Sequence, residues 1–429
     1  MVDTADFCCN KNRIVKVLQS YVASTVALCQ PDVTFPNARR PEMGVASDAT
    51  GASAHRLGDK LIGKSLTLSG ITKTYGAVEA VRDTSLDIHA GEFVSIVGPS
   101  GSGKTSLLTM IAGFEHPCAG TIRIDGHDIT SVAPNLRNIG MVFQRYALFP
   151  HMTVRQNIEF PLRMRKSSGS AEGRRRVNEM LDLVQLTGLD ERRPHQLSGG
   201  QQQRVAVARA LVFNPPVILM DEPLGALDKK LREAMQLEIK RIQQRVGATV
   251  VYVTHDQEEA LTMSDRVAVM HRGTLQQIGA PEELYREPRN AFVADFVGSI
   301  NFLPVTAVSS DEHNIVVLLK GSTTPLSVER QGSPHPSPGQ PLHLALRPEH
   351  LGLRPTRWDR NSAIEGTLDS VVFAGATRTA LVRLAAMGDA VVRVQVPCAE
   401  TIPEKGALVY LEFAPRDARL FSLESEDFQ

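Results

Sequence analysis

Residues 98–106, GPSGSGKTS, combine small residues with one lysine in a pattern that binds phosphate. The pattern directly follows the apolar run FVSIV, so it predicts a strand, a tight glycine turn and then a helix. Backbone N–H groups at the start of that helix would surround a phosphate, Lys104 would reach its β- and γ-oxygens, and the Thr105 hydroxyl would bind Mg²⁺. The predicted phosphate loop consists of Gly98, Pro99, Ser100, Gly101, Ser102, Gly103, Lys104, Thr105 and Ser106.

An acidic pair follows a second apolar run. In VILMDEP, four apolar residues predict a buried strand, and Asp221 follows at its C-terminal end, where α/β sheets place their ligands. A phosphate loop needs an acidic group for its metal, and we expect Asp221 to hold Mg²⁺ through water. Glu222 is the predicted general base that polarises the attacking water.

Two further polar side chains are predicted at the same edge of the sheet. The run TVVYVT predicts a strand that brings His255 there, where it can donate a hydrogen bond to the transition state. Gln144 closes the predicted strand GMVFQ and is placed to sense Mg²⁺ or the water. Either residue alone is weak evidence, but their joint occurrence at strand ends favours one site that binds and hydrolyses ATP.

The apolar runs predict the elements that must position these residues. Short β-branched runs alternate with helical stretches over residues 65–300, which predicts an α/β domain with a largely parallel sheet. Helical spacing in SAEGRRRVNEMLDLVQL predicts a helix-rich insertion at about 145–210. Over residues 301–429, short strands separated by Gly and Pro predict a small all-β barrel or sandwich. Residues 1–64 lack a sustained hydrophobic period, so we expect a disordered extension, with Met43 as a candidate first residue.

Composition argues against several classes of protein. Lys+Arg and Asp+Glu both number 47 among 429 residues, so no strong net field points to nucleic acid or anionic lipid as the main partner. The five cysteines show no paired metal spacing, which favours free thiols in a reducing compartment. No run approaches the ~20 apolar residues that span a bilayer. We therefore expect a cytoplasmic chain that has no membrane span of its own.

The order of the motifs resembles the nucleotide-binding subunits of ATP-binding cassette (ABC) transporters. The motifs GPSGSGKTS, Gln144, LSGGQ, VILMDE, GALD and His255 carry this resemblance over roughly residues 65–300. It implies an α/β P-loop NTPase that binds ATP and Mg²⁺, with Tyr75 stacked on adenine and Gln144 linking the metal site to a membrane partner. The family usually has Ser where Gly225 stands, and we expect this difference to loosen the loop without abolishing function.

The loop LSGGQ, residues 197–201, opens a helical run with one Ser and two Gly. Its amides can approach an anion, yet the chain already has a complete phosphate site. The resemblance implies that this signature loop faces the γ-phosphate held by a second copy, and it therefore predicts a homodimer. The residues implied at that interface are Ser198, Gly199, Gly200, Gln201 and Asp228.

Two further segments are similar to one importer branch of that family, which serves polyamines, ferric iron, maltose and related solutes. The stretches LALRPEHLGL and GTLDSVVFAGATRTALVRL resemble its C-terminal regulatory domain, an OB-like barrel known as TOBE. The segment QRYALFPHMTVRQNI also looks importer-like. We expect its apolar side chains to form a groove for a helix of a membrane subunit, or alternatively a buried patch within the insertion; these are Tyr146, Leu148, Phe149 and Met152.

The resemblance implies an ATPase that powers solute import. Its partners would be a second copy, membrane-spanning permease subunits on other chains and, indirectly, a solute-binding protein, at the cytoplasmic face of the inner membrane. The motifs and the tail favour putrescine or spermidine, with ferric iron or another small solute as the alternative. A soluble ABC ATPase acting on ribosomes or in DNA repair, a purely regulatory module and an exporter are the other classes left open.

Overall fold

The computed structural model describes residues 62–225, 227–330, 335–357 and 363–422. Residues 1–61 of the predicted N-terminal extension, including Met43, lie outside these ranges, as does Ala226. Within them, Cys118 and Cys398 are exposed free thiols.

In the described part of the chain, ten strands up to residue 279 form two sheets. In chain order they are β1 (Leu66–Tyr75), β2 (Val78–Ile88), β3 (Phe93–Val97), β4 (Ala119–Ile124), β5 (His127–Asp128), β6 (Ile139–Val142), β7 (Val217–Asp221), β8 (Thr249–Val253), β9 (Arg266–His271) and β10 (Thr274–Gly279). The first sheet is antiparallel in the order β2-β1-β4-β5, and the second has the order β10-β9-β3-β8-β7-β6.

The six-stranded sheet positions the predicted site. Its strands β9, β3, β8, β7 and β6 run parallel, and β10 is antiparallel to β9. Every residue of β3 and β8 is buried, as expected of a parallel sheet that is covered on both faces. Because β3, β7 and β8 point the same way, the segments that leave them meet at one edge of the sheet.

Helices connect these strands. They are α1 (Lys104–Ala112), α2 (Val154–Met164), α3 (Ala171–Leu183), α4 (Gly199–Leu211), α5 (Lys229–Val246), α6 (Gln257–Met263), α7 (Pro281–Arg286) and α8 (Ala291–Phe296). Several begin at side-chain caps that satisfy otherwise unpaired N–H groups: α2 at Thr153, α4 at Ser198 and α5 at Asp228. None of the helices in the described ranges is long and apolar enough to cross a bilayer.

Helices α2, α3 and α4 form the predicted helix-rich insertion between β6 and β7. Their apolar faces share one buried cluster, to which Ile158, Val177, Leu181 and Val205 contribute. The same cluster reaches Tyr252 of β8, so the insertion packs onto the central sheet and is not an independent core.

The region after residue 300 is all-β where it is described. Its strands are β11 (Asn301–Ser310), β12 (Asn314–Leu319), β13 (Pro325–Glu329), β14 (Pro341–Leu346), β15 (Gly352–Arg354), β16 (Ala363–Ala374), β17 (Thr377–Leu384), β18 (Ala390–Pro397), β19 (Leu408–Glu412) and β20 (Ala418–Ser422). They form two five-stranded sheets, β13-β12-β11-β14-β20 and β15-β19-β16-β17-β18, around a shared apolar cluster. The predicted combination of an α/β fold followed by an all-β domain is confirmed.

Arg347 joins the β region to the end of the α/β region. Its guanidinium donates hydrogen bonds to the carbonyls of Tyr285 at 2.8 Å and Ser299 at 3.2 Å, and it lies 3.7 Å from the centre of the Tyr285 ring. Burial lowers the pKa of Arg347 to about 10, so the charge is desolvated and held by carbonyl dipoles and a ring face.

Candidate nucleotide-binding site

The loop between β3 and α1 has the backbone shape that the phosphate pattern predicts. Gly98 has a φ of 155° and Gly103 a φ of 98°. A Cβ at Gly98 would lie 2.1 Å from the Met270 carbonyl oxygen, and one at Gly103 would lie 2.3 Å from that of Ala80, so both positions require glycine. Gly103 caps α1 without a side-chain bond, which leaves the first N–H groups of the helix available to an anion.

Lys104 lies beneath this loop. Its Nζ donates hydrogen bonds to the carbonyl oxygens of Gly98 and Pro99, both at 2.8 Å, and approaches Ser102 Oγ at 3.5 Å. Burial lowers the pKa of Lys104, while the charges of Glu222 and Asp221 oppose that shift. These acceptors are neutral, so a phosphate anion is a stronger partner for the buried ammonium than any of them. The residues present therefore fit a bound triphosphate; of the remaining loop residues, Ser100, Gly101 and Thr105 are exposed and Ser106 is half-buried.

Asp221 and Glu222 follow each other where β7 ends. Burial, and then the charge of Glu222, raise the pKa of Asp221 to about 6, while Lys104 opposes the shift. Glu222 has a φ of 43°, a left-handed conformation that costs a side-chain-bearing residue about 1–3 kcal/mol. Its N–H donates to the Val253 carbonyl at 2.8 Å, which holds the strained residue against β8. Strain retained next to a phosphate loop is typical of a functional position.

The carboxylate of Glu222 contacts both other polar side chains that the sequence predicts here. Its Oε2 accepts a hydrogen bond from Gln144 Nε2 at 2.8 Å, and its Oε1 lies 3.3 Å from His255 Nδ1. Gln144 does not close β6 as predicted, because that strand ends at Val142 and Gln144 lies in the next turn. This turn carries the Gln144 side chain across to Glu222.

The predicted metal ligands have the chemistry that Mg²⁺ requires. Thr105 offers a hydroxyl, Asp221 a carboxylate, and Gln144 its amide oxygen, since its amide nitrogen already serves Glu222. Mg²⁺ prefers such oxygen ligands and also takes phosphate oxygens. The raised pKa of Asp221 beside Glu222 shows two carboxyl groups in an environment that a divalent cation would relieve.

Tyr75 is the last residue of β1 and lies beside the first turn of α1. Burial is the main cause that raises the pKa of Tyr75, and the neighbouring Ser106 side chain opposes that shift. Lys73 Nζ lies 5.1 Å from the centre of the Tyr75 ring and pairs with Glu115 at 3.0 Å. The aromatic ring is therefore held next to the phosphate loop, where the predicted adenine contact requires it.

The signature loop and Asp228 form a second group. Ser198 Oγ accepts from the Gln201 N–H at 3.3 Å, and Gln201 Oε1 accepts from the Ser198 N–H at 3.0 Å, which caps α4. A Cβ built on Gly199 would lie 3.4 Å from Leu227 Cδ2. Asp228 Oδ1 accepts the Leu231 N–H at 3.0 Å, which caps α5 directly after Leu227. The approach of Gly199 to Leu227 therefore places the N-termini of α4 and α5 side by side. Gly200 belongs to the same group, since its own Cβ would lie 3.1 Å from Leu231.

Arg209 is a residue that the sequence analysis missed. Its guanidinium donates to the carbonyl oxygens of Tyr146 and Ala147, both at 2.7 Å, and these two residues have left-handed φ values of 58° and 45°. Burial lowers the pKa of Arg209 to about 10. The only signal in the sequence is one arginine within the apolar run AVARALV. This side chain fixes the path of the chain directly after Gln144.

The four apolar residues predicted to form either a groove for a membrane subunit or a buried patch fall into two groups. Tyr146 is buried, with 7% of its surface exposed, and belongs to the cluster of the insertion. Leu148, Phe149 and Met152 remain partly exposed, and the Phe149 ring packs against the Phe160 ring at a tilt of 46°, with centres 4.5 Å apart. These three residues are therefore the part of the segment that a partner could contact.

Known proteins with similar sequences identify the family of this chain. The model of the ABC transporter family matches residues 81–225, and that of the TOBE domain matches residues 344–421. The chain is 48% identical over 356 residues to the spermidine/putrescine import ATP-binding protein PotA of Thermobifida fusca, covering 82% of this chain and 91% of that one. It is 51% identical over 288 residues to the putrescine transport ATP-binding protein PotG of Escherichia coli, with coverage of 67% and 76%.

A third relative, the spermidine/putrescine import ATP-binding protein PotA of Aliivibrio fischeri, is 46% identical over 320 residues, with coverage of 74% of this chain and 85% of that one. The matches over 356 and 320 residues are longer than the chain up to residue 300, so they extend beyond the α/β region and are not confined to the phosphate loop. The chain therefore belongs to the ABC transporter family of ATP-binding proteins and carries a C-terminal TOBE domain.

Proposed function

We propose that this chain is the ATP-hydrolysing subunit of an importer for polyamines, with putrescine and spermidine as the solutes. The observation that carries the hydrolytic role is the Glu222 carboxylate held between Gln144 and His255. The assignment of solute is supported by the relatives, whose names specify spermidine and putrescine import.

In the proposed reaction, the amides of the loop and Lys104 bind the β- and γ-phosphates of ATP. Glu222 accepts a proton from the water that attacks the γ-phosphorus, while Gln144 and His255 hold its carboxylate in place. When both ring nitrogens carry a proton, His255 donates from Nδ1 to Glu222 and from Nε2 to the transferring phosphoryl group. When bound, Mg²⁺ supplies positive charge to the phosphate oxygens, and Thr105, Asp221 and Gln144 would hold it.

The signature loop completes the site in a homodimer. Ser198 and the amides of Gly199 and Gly200 stand at the N-terminus of α4, where the helix dipole favours an anion. Because the chain has a phosphate loop of its own, we assign this second anion site to the γ-phosphate of ATP on the other copy. Gln201 holds Ser198 through the cap, and Asp228 lies beside this loop at the interface. Binding of two ATP molecules then favours the closed dimer, and hydrolysis releases it.

Closure must reach permease subunits on other chains. The segment after Gln144 is suited to this task, because Arg209 fixes its backbone while Leu148, Phe149 and Met152 remain partly exposed. In this assignment the protein lies peripherally at the cytoplasmic face of the inner membrane. A solute-binding protein delivers the polyamine to the permease and does not need to contact this chain, and no nucleic acid takes part.

Transport in proteoliposomes tests the proposal. The affinity-tagged full-length chain would be purified from membranes with its co-purifying subunits and reconstituted with its solute-binding protein and internal ATP. We expect uptake of radiolabelled putrescine or spermidine that the Glu222→Gln complex does not support. A complex that takes up ferric iron but neither polyamine would contradict the solute. Recovery of the chain without any multi-span partner would favour a soluble ABC ATPase instead.

A further inference from the structure

One arginine connects two loops that border the proposed hydrolysis site. Arg232 lies in the first turn of α5, with 30% of its side chain exposed. Its Nη2 donates to the carbonyl oxygen of Leu227 at 3.1 Å, and its Nη1 donates to Asp256 Oδ2 at 3.0 Å. Leu227 directly precedes Asp228, and Asp256 directly follows His255. A planar guanidinium that spans two acceptors fixes their separation and direction.

The loop that contains His255 is held on both sides. Asp256 Oδ1 accepts the N–H groups of Glu258 at 2.9 Å and Glu259 at 3.4 Å, which caps α6. Thr254 Oγ1 accepts the Asp256 N–H at 3.0 Å and donates to Glu259 Oε2 at 2.8 Å. His255 itself stands exposed between these two anchored neighbours, with its Nδ1 3.3 Å from Glu222. A shift of Asp256 would therefore move His255 relative to Glu222.

Glu259 anchors the network from beneath. It is 2% exposed, and its Oε2 accepts from Tyr252 Oη and from Thr254 Oγ1, both at 2.8 Å. Its Oε1 lies 3.7 Å from Arg232 Nε. Burial raises the pKa of Glu259, while the hydrogen bonds and Arg232 oppose that shift. The buried carboxyl therefore lies between the His255 loop and Arg232, and its charge attracts the guanidinium at a distance longer than a hydrogen bond.

The second acceptor of the Arg232 guanidinium, the Leu227 carbonyl oxygen, lies in the loop that we assign to the dimer interface. Leu227 is the side chain closest to the space beside Gly199 of the signature loop, and its N–H donates to the Leu224 carbonyl at 3.1 Å. Asp228 caps the helix that carries Arg232. One hydrogen bond thus joins this loop to Arg232, and a second joins Arg232 to Asp256. A movement of the loop on dimer closure can therefore reach Asp256 through Arg232.

We propose that Arg232 is a positioning residue that couples the loop before α5 to His255, so that hydrolysis requires the loop to be in its closed-dimer arrangement. The inference rests on the proposed roles of His255 and the dimer, and it concerns a residue whose contacts are with Leu227, Asp256 and Glu259. Its action runs through Asp256, which makes the coupling testable from both ends.

The full-length protein would be tested with Arg232→Met, Arg232→Lys and Asp256→Asn. Asparagine caps helices as well as aspartate, so Asp256→Asn keeps α6 capped and removes only the charged partner of Arg232. The matched control is Lys240→Met, because Lys240 lies further along α5 and pairs with Asp265 at 2.8 Å, just beyond α6. We expect kcat for ATP to fall about tenfold or more in Arg232→Met and Asp256→Asn. KM should stay within about twofold, and Arg232→Lys should restore part of the rate.

A second measurement separates positioning from loss of fold. If Arg232 acts through His255, then Arg232→Met added to His255→Ala lowers kcat no further than His255→Ala alone. Independent, multiplying losses would overturn the inference, as would an equal loss in Lys240→Met or a His255→Ala variant with full turnover. Thermal unfolding of each variant shows whether a loss of kcat is accompanied by a loss of stability. Glu222→Gln is measured in parallel, and its retention of turnover would reject the proposed base without altering the Arg232–His255 comparison.

Discussion

Glu222 Oε2 accepts a hydrogen bond from Gln144 Nε2 at 2.8 Å, although 78 residues separate the two positions. The entire helical insertion lies between them in the chain, yet the strands that they follow, β6 and β7, are neighbours in the sheet. This contact places the start of the insertion one hydrogen bond from the proposed base. A movement of the insertion relative to the sheet would therefore displace the Glu222 carboxylate.

Glu222→Gln removes the proposed base but keeps the shape of the side chain. ATP turnover should fall about 10²- to 10⁴-fold, since an amide cannot accept the proton of the attacking water. ATP affinity should remain, because Lys104 and the loop amides are unchanged, and the variant should accumulate as a dimer with ATP. A coupled assay measures turnover, fluorescence measures nucleotide affinity, and sedimentation measures the mass of the assembly. Glu258→Gln, at an exposed position, is the control. Near wild-type turnover would reject Glu222 as the base.

Asp221→Asn should stabilise the nucleotide-free protein at neutral pH. Its pKa is about 6 in the folded chain and ~4 when unfolded, so between these values the folded state binds more protons and stability falls as pH rises. The substitution should raise the free energy of unfolding by about 3 kcal/mol above pH 7 and by about half as much at pH 5. Urea unfolding at both pH values, with the exposed Asp295→Asn as control, measures it. A gain that does not change with pH would contradict the assignment.

Arg209→Met should destabilise the insertion. The substitution leaves the buried carbonyl oxygen of Tyr146 and the partly buried one of Ala147 without their charged donor, at a cost of about 2–4 kcal/mol. Arg204→Met on the same helix is the control, because the hydrogen bond from Arg204 to the Val184 carbonyl is long, at 3.4 Å. Urea unfolding gives the difference between the variants. Equal stability of the two variants would show that the buried guanidinium of Arg209 contributes no more than that of the half-buried Arg204.

The sequence predicts most of this site because its groups follow strand ends, and strand ends in a parallel sheet meet at one edge. The positions of side chains that lie beyond that edge are harder to predict. Gln144 was expected within a strand, whereas the chain turns after Val142 and the side chain reaches Glu222 from the turn. Arg209 and Arg232 act on carbonyls distant in the chain or in a loop, and hydrogen bonds to backbone atoms leave no pattern of residue types. The left-handed backbone of Glu222 is likewise invisible in its residue type.

Resemblance to the family predicts a serine where Gly225 stands, and the structure has room for that serine. A Cβ at Gly225 would meet only the Glu222 carbonyl oxygen at 3.6 Å, an ordinary van der Waals contact. Gly225→Ser should therefore fold and raise stability by about 0.4–1 kcal/mol, through loss of freedom in the unfolded chain. Gly98→Ala is the opposite control, since its Cβ would lie 2.1 Å from the Met270 carbonyl. A destabilised Gly225→Ser protein would show that the loop needs glycine after all.

Ser198→Phe tests whether the signature loop works on the other copy. Ser198 lies in the group with Leu227 and Asp228, while Lys104 lies with Glu222, so the substitution should leave ATP binding to a monomer intact. A bulky ring at the interface should nevertheless abolish hydrolysis. Mixed with an excess of Lys104→Ala protein, which lacks the phosphate ligand, Ser198→Phe protein should form heterodimers with up to about half of the wild-type rate per dimer. In that heterodimer, one intact phosphate loop faces one intact signature loop. Homodimers of either variant stay inactive as controls, and hydrolysis by Ser198→Phe alone would place the complete site within a single chain.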